Sequence, residues 1–386
     1  MKQILIFNDC LNYGGTETLL VNVLNSIADK QCNVTLLLPV AHPHNILLKN
    51  IHSKVNIIYI YQKELSRVKK IIHENLMSFF PSLYIKIVKL DLKKYDTILS
   101  FKDSVYSTIF TLSKQRKILW VHNLPTEKKY GINSLKEYLP VILLKIRTKR
   151  LIKSFRRYND VIFVSQTSKD NYIKIYNREK FINGQNLQVI YNAIDFSKID
   201  LLSKESFEQK TEHPVFIMAT RFSVEKRIDR VVWAAYKLKE EGYKFKIRIL
   251  GDGPLYNDIQ NLISELSLTK EISLSGYVSN PYPYMKSGDW LICSSEKESF
   301  SLVLLESIYL GTPVITTNCG GPAEISADGK YALLTENSTS GIYSGMKEVL
   351  SNPEIAEKYT TKANECLKRF DYHKWLETVS KILKVE

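Results

Sequence analysis

Two glutamates in the second half of the chain, Glu298 and Glu306, have a spacing that suits carbohydrate chemistry. Glu298 lies in a polar loop after the apolar run Trp290–Cys293, and Glu306 lies about two turns inside a segment whose helical periodicity starts at Ser301. Carboxylates accept hydrogen bonds from the vicinal hydroxyls of a sugar or a ribose. The alternative is that Glu298 is a first-turn acid favoured by the helix dipole and Glu306 a solvated helix residue.

The stretch around these glutamates predicts a strand, a loop, a helix and a further strand, because Gly311 can end the helix and Pro313 follows it. In open α/β sheets, ligands bind at the carboxyl ends of strands. A helix that starts there presents unpaired N–H groups and a partial positive charge. The backbone N–H groups of Phe300, Ser301 and Leu302 are therefore candidates to bind an anion.

A second candidate anion site follows the predicted strand Val215–Ala219. Arg221 and Lys226 lie five residues apart in the next loop and can converge on one diphosphate. Arginine would bind through its planar fork and lysine as a point charge. The alternative is an ordinary loop with solvated cations.

The first half of the chain offers fewer signals. After the strand Ile4–Phe7, Gly14 and Gly15 could let the backbone approach a ligand closely, although such a pair is most often only a turn. His122 and Asn123 follow another predicted strand, where a lone histidine is either a structural hydrogen-bonding residue or a catalytic one.

Composition narrows the classes of partner. Lys and Arg exceed Asp and Glu by 14, so the protein attracts anions such as nucleic acid, anionic lipid or phosphorylated substrates. We find no nucleic-acid-binding motif and expect no such partner. Five scattered cysteines without metal-ligand spacing predict reduced thiols and a cytoplasmic location. The N-terminal apolar run is too short for a signal peptide, and no segment approaches the length needed to cross a bilayer, so we expect a soluble or peripheral protein.

A basic helix is predicted within residues 138–158, which contain no acid. On a helical wheel, Leu144, Leu151, Ile152 and Phe155 fall on one side. The opposite side carries the cations Lys145, Lys149, Lys153 and Arg156. Such a helix suits the inner, anionic surface of a cell membrane. The alternative is a helix packed on the sheet with a solvated basic face.

Several of these segments resemble motifs of the retaining GT-B glycosyltransferases of the "group 1" family, glycosyltransferase family four. Glu298 and Glu306 resemble its E-x7-E motif, although Ser299 and Ser301 replace small or glycine positions. The loop from Thr220 to Lys226 resembles its G-R-x-x-x-x-K segment. Residues 14–17 resemble G-G-x-E, and residues 251–254 resemble G-x-G-P.

This resemblance implies a fold and a set of roles. The fold is α/β, with two Rossmann-like, doubly wound domains that face a central cleft. The donor-binding residues implied are Gly15, Arg221, Lys226, Gly251, Val278, Glu298, Phe300, Ser301, Leu302 and Glu306. The catalytic residues implied are His122, Arg221, Lys226 and Glu298. The acceptor-side residues implied are Gly14, Gly15, Thr16, His122 and Asn123.

The implied activity is retaining transfer of a sugar from a nucleotide diphosphate sugar, most simply a UDP-sugar, to a lipid-linked or other cell-surface glycan precursor. Arg221, Lys226 and the helix N-terminus would stabilise the diphosphate, so neither a metal nor a cofactor is expected. Two alternatives remain. The chain could be a non-catalytic, nucleotide-sugar-binding partner of another transferase, or a nucleotide-sugar epimerase that shares the fold.

Domain boundaries follow from length, composition and the resemblance. The 386 residues suit two domains of roughly 180 residues each. We predict an N-terminal domain over 1–195, a polar linker over 196–213 and a C-terminal domain over 214–365. By resemblance, a last helix over 366–386 returns to the first domain.

Overall fold

The computed structural model describes residues 1–12, 14–43, 45–123, 135–177, 184–205, 207 and 211–385. It divides into two compact units. Unit 1 comprises Met1–Ile190 and His373–Glu386, and unit 2 comprises Tyr191–Tyr372.

Unit 1 is built on a seven-stranded sheet in the order β3-β2-β1-β4-β5-β6-β7. All its strand pairs are parallel. The strands are β1 (Lys2–Phe7), β2 (Cys32–Val40), β3 (Asn56–Tyr61), β4 (Thr97–Ser100), β5 (Arg116–Val121), β6 (Asp160–Phe163) and β7 (Asn186–Val189). The helices between them are α1 (Gly15–Ala28), α2 (Arg67–Phe79), α3 (Pro81–Ile87), α4 (Ser107–Phe110), α5 (Leu135–Phe155) and α6 (Gln166–Asn177), with a 3-10 turn over Ile46–Asn50.

Unit 2 is built on a six-stranded sheet in the order β10-β9-β8-β11-β12-β13, again with every pair parallel. The strands are β8 (Val215–Ala219), β9 (Lys246–Leu250), β10 (Ile272–Gly276), β11 (Trp290–Cys293), β12 (Val314–Thr317) and β13 (Leu333–Thr335). The helices are α7 (Phe196–Leu202), α8 (Ile228–Glu240), α9 (Tyr256–Glu265), α10 (Tyr282–Ser287), α11 (Leu302–Tyr309), α12 (Gly321–Ser326), α13 (Thr339–Ser351), α14 (Ile355–Thr360) and α15 (Ala363–Leu367), with 3-10 turns over Val224–Lys226 and Lys368–Phe370. The last helix of the chain, α16 (Tyr372–Leu383), lies almost entirely in unit 1.

The central strands are apolar on both faces because helices cover both sides of a parallel sheet. In unit 1, Leu5 and Phe7 of β1 are fully buried, and in unit 2 Phe216 of β8 is. Each unit has its own buried cluster, one under β1, β4 and β5 and one under β8, β9 and α8. Both sheets are therefore doubly wound, and the α/β GT-B class predicted from the sequence is the observed one.

Some boundaries differ from the predicted ones. Residues 196–202, placed in the polar linker, form α7, which is capped by Asp195 and buries Ile199. The sequence did not identify β13, which has only three residues. The last helix, predicted over 366–386, is α16 over Tyr372–Leu383, and the residues before it form the end of α15 and a 3-10 turn. Within unit 1, Trp375 of α16 packs against Trp120, with ring centroids 6.1 Å apart.

Each sheet has one point at which its strand order reverses direction. It lies between β1 and β4 in unit 1 and between β8 and β11 in unit 2. Loops that leave neighbouring strands there run to opposite faces and open a crevice at the carboxyl ends of the strands.

Candidate functional site

In unit 2, the loops at the reversal point carry an ion pair. The Lys226 ammonium donates a hydrogen bond to the Glu298 carboxylate, which also accepts one from the Ser295 hydroxyl at 3.2 Å. Lys226 belongs to the loop after β8, and Glu298 to the loop after β11. The sequence proposed a site role for each residue, and the structure brings the two into direct contact.

The backbone around Lys226 is also fixed. The Ser294 hydroxyl is within hydrogen-bonding distance of the Lys226 and Arg227 carbonyl oxygens, at 2.8 and 3.0 Å. Burial alone would lower the pKa of Lys226, but the Glu298 carboxylate, together with Cys293 and Glu225, holds the pKa above its usual value. The lysine is therefore a positioned cation at neutral pH.

Arg227 is a residue that sequence reasoning missed. Its φ of 48° is in the left-handed region, which is uncommon for a residue with a side chain. The Arg227 guanidinium pairs with Asp229 at 2.8 Å and with Glu296 at 3.1 Å. Both contacts stabilise the turn that holds Lys226, since Asp229 lies in the first turn of α8 and Glu296 lies in the loop after β11.

Arg221 does not join this cluster. The side chain is 69% exposed, and its guanidinium contacts Glu225 at 3.1 Å. Each cation faces a different carboxylate, and the convergence of Arg221 and Lys226 on one diphosphate stays a prediction. Arg221 would have to leave Glu225 to reach an anion held by Lys226, and exposed ion pairs of this kind are weak.

Gly251 directly follows β9, at a point where the backbone of the neighbouring loop comes very close. Its φ is 134°, and a Cβ atom there would lie 1.9 Å from the carbonyl oxygen of Thr220. Gly253 is similarly close to Phe222, whose N–H bonds the carbonyl oxygen of Asp252 at 2.9 Å. The structure thus gives Gly251 a packing role, which leaves its predicted donor contact as a prediction.

We expect Gly251→Ala to destabilise unit 2 strongly. The alanine would have to adopt a positive φ, and its Cβ atom would clash with the backbone of Thr220 in the neighbouring loop. Gly242→Ala is the matched control, since Gly242 has a φ of 84° but nothing within 4 Å of the added carbon. The control substitution should lower the free energy of unfolding by about 1–2 kcal/mol, because only the positive φ is unfavourable there. Denaturant melts of both variants measure the difference, and equal losses would contradict the packing role.

Helix α11 begins at the same crevice. Ser301 is the N-cap residue, only 5% exposed, and its side chain makes no capping hydrogen bond. The first backbone N–H groups of α11 therefore keep their partial positive charge. The sequence proposed N–H groups from Phe300 to Leu302, and the structure starts the helix at Leu302.

The loop before α11 is held by tight backbone packing. Gly321 lies under Phe300, where a Cβ atom would be 2.5 Å from the Phe300 Cα. The Phe300 ring is buried against Tyr191 and Phe370, with centroids 6.1 and 5.9 Å away. Phe300 therefore anchors the loop through its side chain, and only its backbone remains available for a ligand.

Glu306 lies on α11 and accepts a hydrogen bond from the Tyr282 hydroxyl at 3.3 Å. Burial raises the pKa of Glu306 to about 7, and the Tyr282 bond and the charge of Lys198 oppose that rise only in part. Glu306 is therefore poised between its two protonation states. Sequence reasoning missed Tyr282 and Lys198, because they come from α10 and α7 and meet Glu306 only in the folded unit.

Val278 follows β10 and is half-buried. Its neighbour Tyr277 is 54% exposed. The donor role of Val278 stays a prediction.

In unit 1, the glycine pair begins a helix and does not form a left-handed turn. Gly14 is the N-cap of α1 with extended backbone, and Gly15 is its first residue. Thr16 follows in the first turn. Glu17, which is buried, pairs with Lys102 at 3.5 Å and so connects the loop after β1 with the loop after β4.

His122 and Asn123 lie at the end of β5 beside the same loops. The Asn123 amide donates to the Asp103 carboxylate at 3.0 Å, and burial raises the pKa of Asp103 to about 7. Asp9 accepts a hydrogen bond from Ser104 at 2.9 Å. Asp9 and Asp103 are further residues that sequence reasoning missed, since no motif marked them.

The His122 ring is buried between aromatic side chains, with centroids 4.5 Å from Phe101 and 5.7 Å from Trp120. This burial, together with the charge of Lys102, lowers the pKa of His122 to about 3. The imidazole is therefore neutral at physiological pH. It can exchange hydrogen bonds with a hydroxyl group but cannot act as a cationic acid.

The four cations of the predicted basic helix, Lys145, Lys149, Lys153 and Arg156, are all exposed. The apolar side divides: Phe155 is buried and Leu151 and Ile152 pack against the core of unit 1, whereas Leu144 is 39% exposed. Helix α5 is thus packed on unit 1 with a solvated basic face. No helix in the described ranges is both long and apolar enough to cross a membrane.

Residues 202–365 match the family described as glycosyl transferases group 1. The matched range contains Lys226, Glu298 and Glu306, so the ion pair and the buried carboxylate lie within the residues that match the family.

Two curated relatives are named as glycosyltransferases. An uncharacterised glycosyltransferase of Methanocaldococcus jannaschii is 30% identical over 249 residues, which cover 59% of this chain and 58% of the relative. A Campylobacter jejuni N-acetylgalactosaminyltransferase, named for a diphospho-undecaprenol-linked sugar, is 31% identical over 193 residues, covering 49% and 51%. The alignments thus span about half of the length of these relatives.

Solved structures match the whole chain. Anabaena HepE in complex with UDP superposes with a TM-score of 0.72 at 16% identity and 100% coverage of both chains. WaaG, a glycosyltransferase involved in lipopolysaccharide biosynthesis, gives a TM-score of 0.71 at 13% identity, covering 98% of this chain and 99% of its own. At these identities the likeness establishes the GT-B fold alone. Over residues 202–365, the chain is similar to the group 1 glycosyltransferases.

Proposed function

We propose that this protein transfers a sugar from a UDP-sugar to a hydroxyl group of a lipid-linked or other cell-surface glycan precursor, with retention of anomeric configuration. The observation that carries the proposal is the Lys226–Glu298 pair at the reversal point of the unit 2 sheet. It places a fixed cation and a carboxylate side by side where open α/β sheets bind ligands.

The nature of the two substrates draws support from similar proteins. HepE has been crystallised with UDP and with UDP-glucose. The Campylobacter jejuni relative is named for an acceptor on a polyprenyl diphosphate. On this basis we propose a UDP-sugar as the donor of this chain and a lipid-linked sugar as its acceptor.

On the donor side, each group in unit 2 has a distinct task. The Glu306 carboxylate would accept hydrogen bonds from the ribose hydroxyls. The N-terminus of α11 and the Lys226 ammonium would bind the diphosphate, because both supply positive charge. Released from Lys226 by the incoming phosphate, Glu298 would accept hydrogen bonds from the donor sugar.

The bond changes balance within the two substrates. The bond between the anomeric carbon and the phosphate oxygen breaks, and its electron pair stays on the diphosphate. The acceptor oxygen bonds to the anomeric carbon on the same face, and its proton passes to the departing phosphate. Lys226 stabilises the charge that develops on that phosphate, which is why the proposal calls for no metal ion.

Unit 1 would hold the acceptor. Neutral His122 can hydrogen-bond a sugar hydroxyl, and Asp103 and Asn123 lie at the same strand ends. Gly14, Gly15 and Thr16 begin α1 there, so the acceptor assignments made from the sequence remain our proposal.

The test starts from donor binding. Purified protein is melted with a panel of UDP-, GDP- and dTDP-sugars, and a UDP-sugar is expected to raise the melting temperature because a ligand of the native state stabilises it. The donor is then incubated with an undecaprenyl-diphosphate sugar, and the product anomer is assigned by NMR. No shift with any nucleotide sugar refutes the donor site. A shift without transfer supports the non-catalytic alternative, and nucleotide release without acceptor-dependent product supports the epimerase.

A further inference from the structure

Unit 1 carries a concentration of exposed apolar side chains that packing does not explain. Thirteen large hydrophobic residues are exposed in the described parts of the chain, and six of them lie on α2, α3 and the junction between them. We call these six the α2–α3 apolar surface: Val68, Ile71, Ile72, Phe80, Leu83 and Ile87. Their exposed fractions run from 49% to 67%. Apolar patches of this kind usually mark an interaction site.

The spacing places these residues on shared helix faces. Val68, Ile71 and Ile72 are three and four residues apart on α2, and Leu83 and Ile87 are four apart on α3. The core of unit 1 is filled from other positions of the same helices, such as the buried Met77 of α2 and Tyr84 of α3. The exposed set is therefore a second apolar face, additional to the one that folds the unit.

Side-chain contacts hold α2 firmly in place. Its His73 bonds the Tyr61 hydroxyl at 2.8 Å and packs edge-on against Tyr84 of α3, with centroids 5.8 Å apart. Glu74 pairs with Arg147 of α5 at 2.9 Å. The apolar surface is thus presented by packed helices.

Helix α5 packs beside α2. Arg147 of α5 contacts Glu74 of α2, and Arg150 lies over the Phe79 ring at 4.8 Å. The cations of α5 are therefore carried by a helix that contacts α2, and its Ile146 is 43% exposed.

Charge decides which partner fits. Residues 67–87 contain four Lys and Arg, and residues 144–157 contain seven, whereas the only acid in either segment is Glu74, already paired with Arg147. Lys69 of α2, Lys86 of α3 and Lys153 of α5 are exposed cations of these three helices. Apolar groups surrounded by cations match the boundary between acyl chains and anionic headgroups.

We propose that the α2–α3 apolar surface docks on an anionic lipid bilayer, with its side chains inserted at the headgroup boundary and the cations of α2, α3 and α5 on lipid phosphates. This assigns insertion to α2 and α3, because the apolar side of α5 is largely used within unit 1. The proposal goes beyond the sugar-transfer reaction and is tested without turnover.

The first measurement is co-sedimentation of the full chain with vesicles of phosphatidylcholine alone or mixed with phosphatidylglycerol. Wild type is expected to bind the mixed vesicles, and salt should weaken binding because exposed charges are screened. Ile72→Ser with Phe80→Ser should lower the affinity by about tenfold or more, since buried apolar area is lost. Lys69→Glu with Lys153→Glu should lower it at least as much.

Matched controls come from unit 2. Leu201→Ser with Trp233→Ser removes exposed apolar residues, and Lys244→Glu with Lys270→Glu makes the same change of net charge. Both should bind vesicles like wild type. Equal losses in the control and surface variants would overturn the proposal, because binding would then follow overall composition.

Two further outcomes also count against it. If the Ile72 and Phe80 variant binds vesicles normally but shifts a wild-type dimer to monomer in sedimentation velocity, the surface is an interface between copies of the chain. If wild type binds both vesicle types equally, anionic lipid is not the partner. Retention of the UDP-sugar melting shift in every variant shows that the donor site is intact, so failure of docking is separable from failure of the proposed reaction.

Discussion

Replacing Lys226 with alanine is expected to lower kcat by about two to three decades while raising KM much less. Charge develops on the diphosphate as the glycosidic bond breaks, so a cation fixed beside it stabilises the transition state more than the bound donor. The structure supports this expectation, because Glu298 and the Ser294 hydroxyl hold Lys226 and its backbone in place. Steady-state kinetics with the preferred donor measure the two constants separately.

The substitution also leaves Glu298 without its partner, so folding must be checked independently. Lys226→Met keeps most of the side-chain volume, and Lys244→Ala is a control at an exposed lysine of the same unit. The expectation fails if Lys226→Met keeps near-normal kcat, or if both Lys226 variants raise KM without lowering kcat. Arg221→Lys should be impaired as well, if Arg221 leaves Glu225 to bind the diphosphate through its fork.

The same experiment addresses the metal question. Wild type is expected to keep its activity in excess EDTA, because the proposal gives charge stabilisation to Lys226 and the α11 N-terminus. Loss of turnover on chelation, restored by Mg²⁺ or Mn²⁺, would contradict this mechanism of leaving-group stabilisation.

Replacing Glu306 with glutamine is expected to weaken donor binding by about 1.5–3 kcal/mol, since charge-assisted hydrogen bonds from the ribose are lost. Isothermal titration calorimetry with UDP-glucose measures this directly. Glu357→Gln, at an exposed helix position of the same unit, should leave affinity unchanged. An unaltered affinity in Glu306→Gln would remove Glu306 from the donor site.

Glu306 should also make donor binding depend on pH. Burial raises the pKa of Glu306 to about 7, so below that pH the carboxyl group is mostly protonated in the free protein. Ribose hydroxyls favour the charged carboxylate, and the ligand must then displace a proton. Affinity for UDP-glucose should therefore fall as pH decreases from about 8 to 6, and Glu306→Gln should flatten this profile. A slope that persists in Glu306→Gln would assign the titration to another group.

The sign for protein stability is opposite to that for ligand binding. The pKa of Glu306 is about 7 in the folded protein and has its ordinary value of 4.5 in the unfolded chain. Between these two pH values the folded protein binds more protons than the unfolded chain. The contribution of Glu306 to the free energy of unfolding therefore becomes more favourable as pH falls from about 7 to 4.5. Above pH 7, its desolvated charge costs stability, a cost that Glu306→Gln should relieve.

Much of the fold could be predicted from the sequence because its signals are local. Strand β8 was predicted with the observed bounds, since five apolar residues ended by polar ones fit a strand buried on both faces. Helix α11 was predicted to within one residue for the same kind of reason, a helical period closed by Gly311. The carboxylates Glu298 and Glu306 were found because they share one short segment.

Long-range contacts could not be predicted in this way. The pairing of Lys226 with Glu298 joins residues 72 positions apart, and it depends on β8 and β11 being neighbours in the sheet. Arg221 illustrates the converse. Sequence spacing suggested that Arg221 and Lys226 bind one diphosphate, but only the structure shows that Arg221 contacts Glu225 and Lys226 contacts Glu298.

What the sequence determined by itself is the order of strands and helices and the types of residue at their ends, because these follow from periodicity and turn chemistry within a few residues. What only the tertiary structure decided is which side chains lose water. Desolvation raises the pKa of Glu306 and Asp103 to about 7 and lowers that of His122 to about 3, and it arises from neighbours contributed by distant segments. The exposure of the apolar side chains on α2 and α3 is decided in the same way, since their sequence pattern equally fits a buried helix.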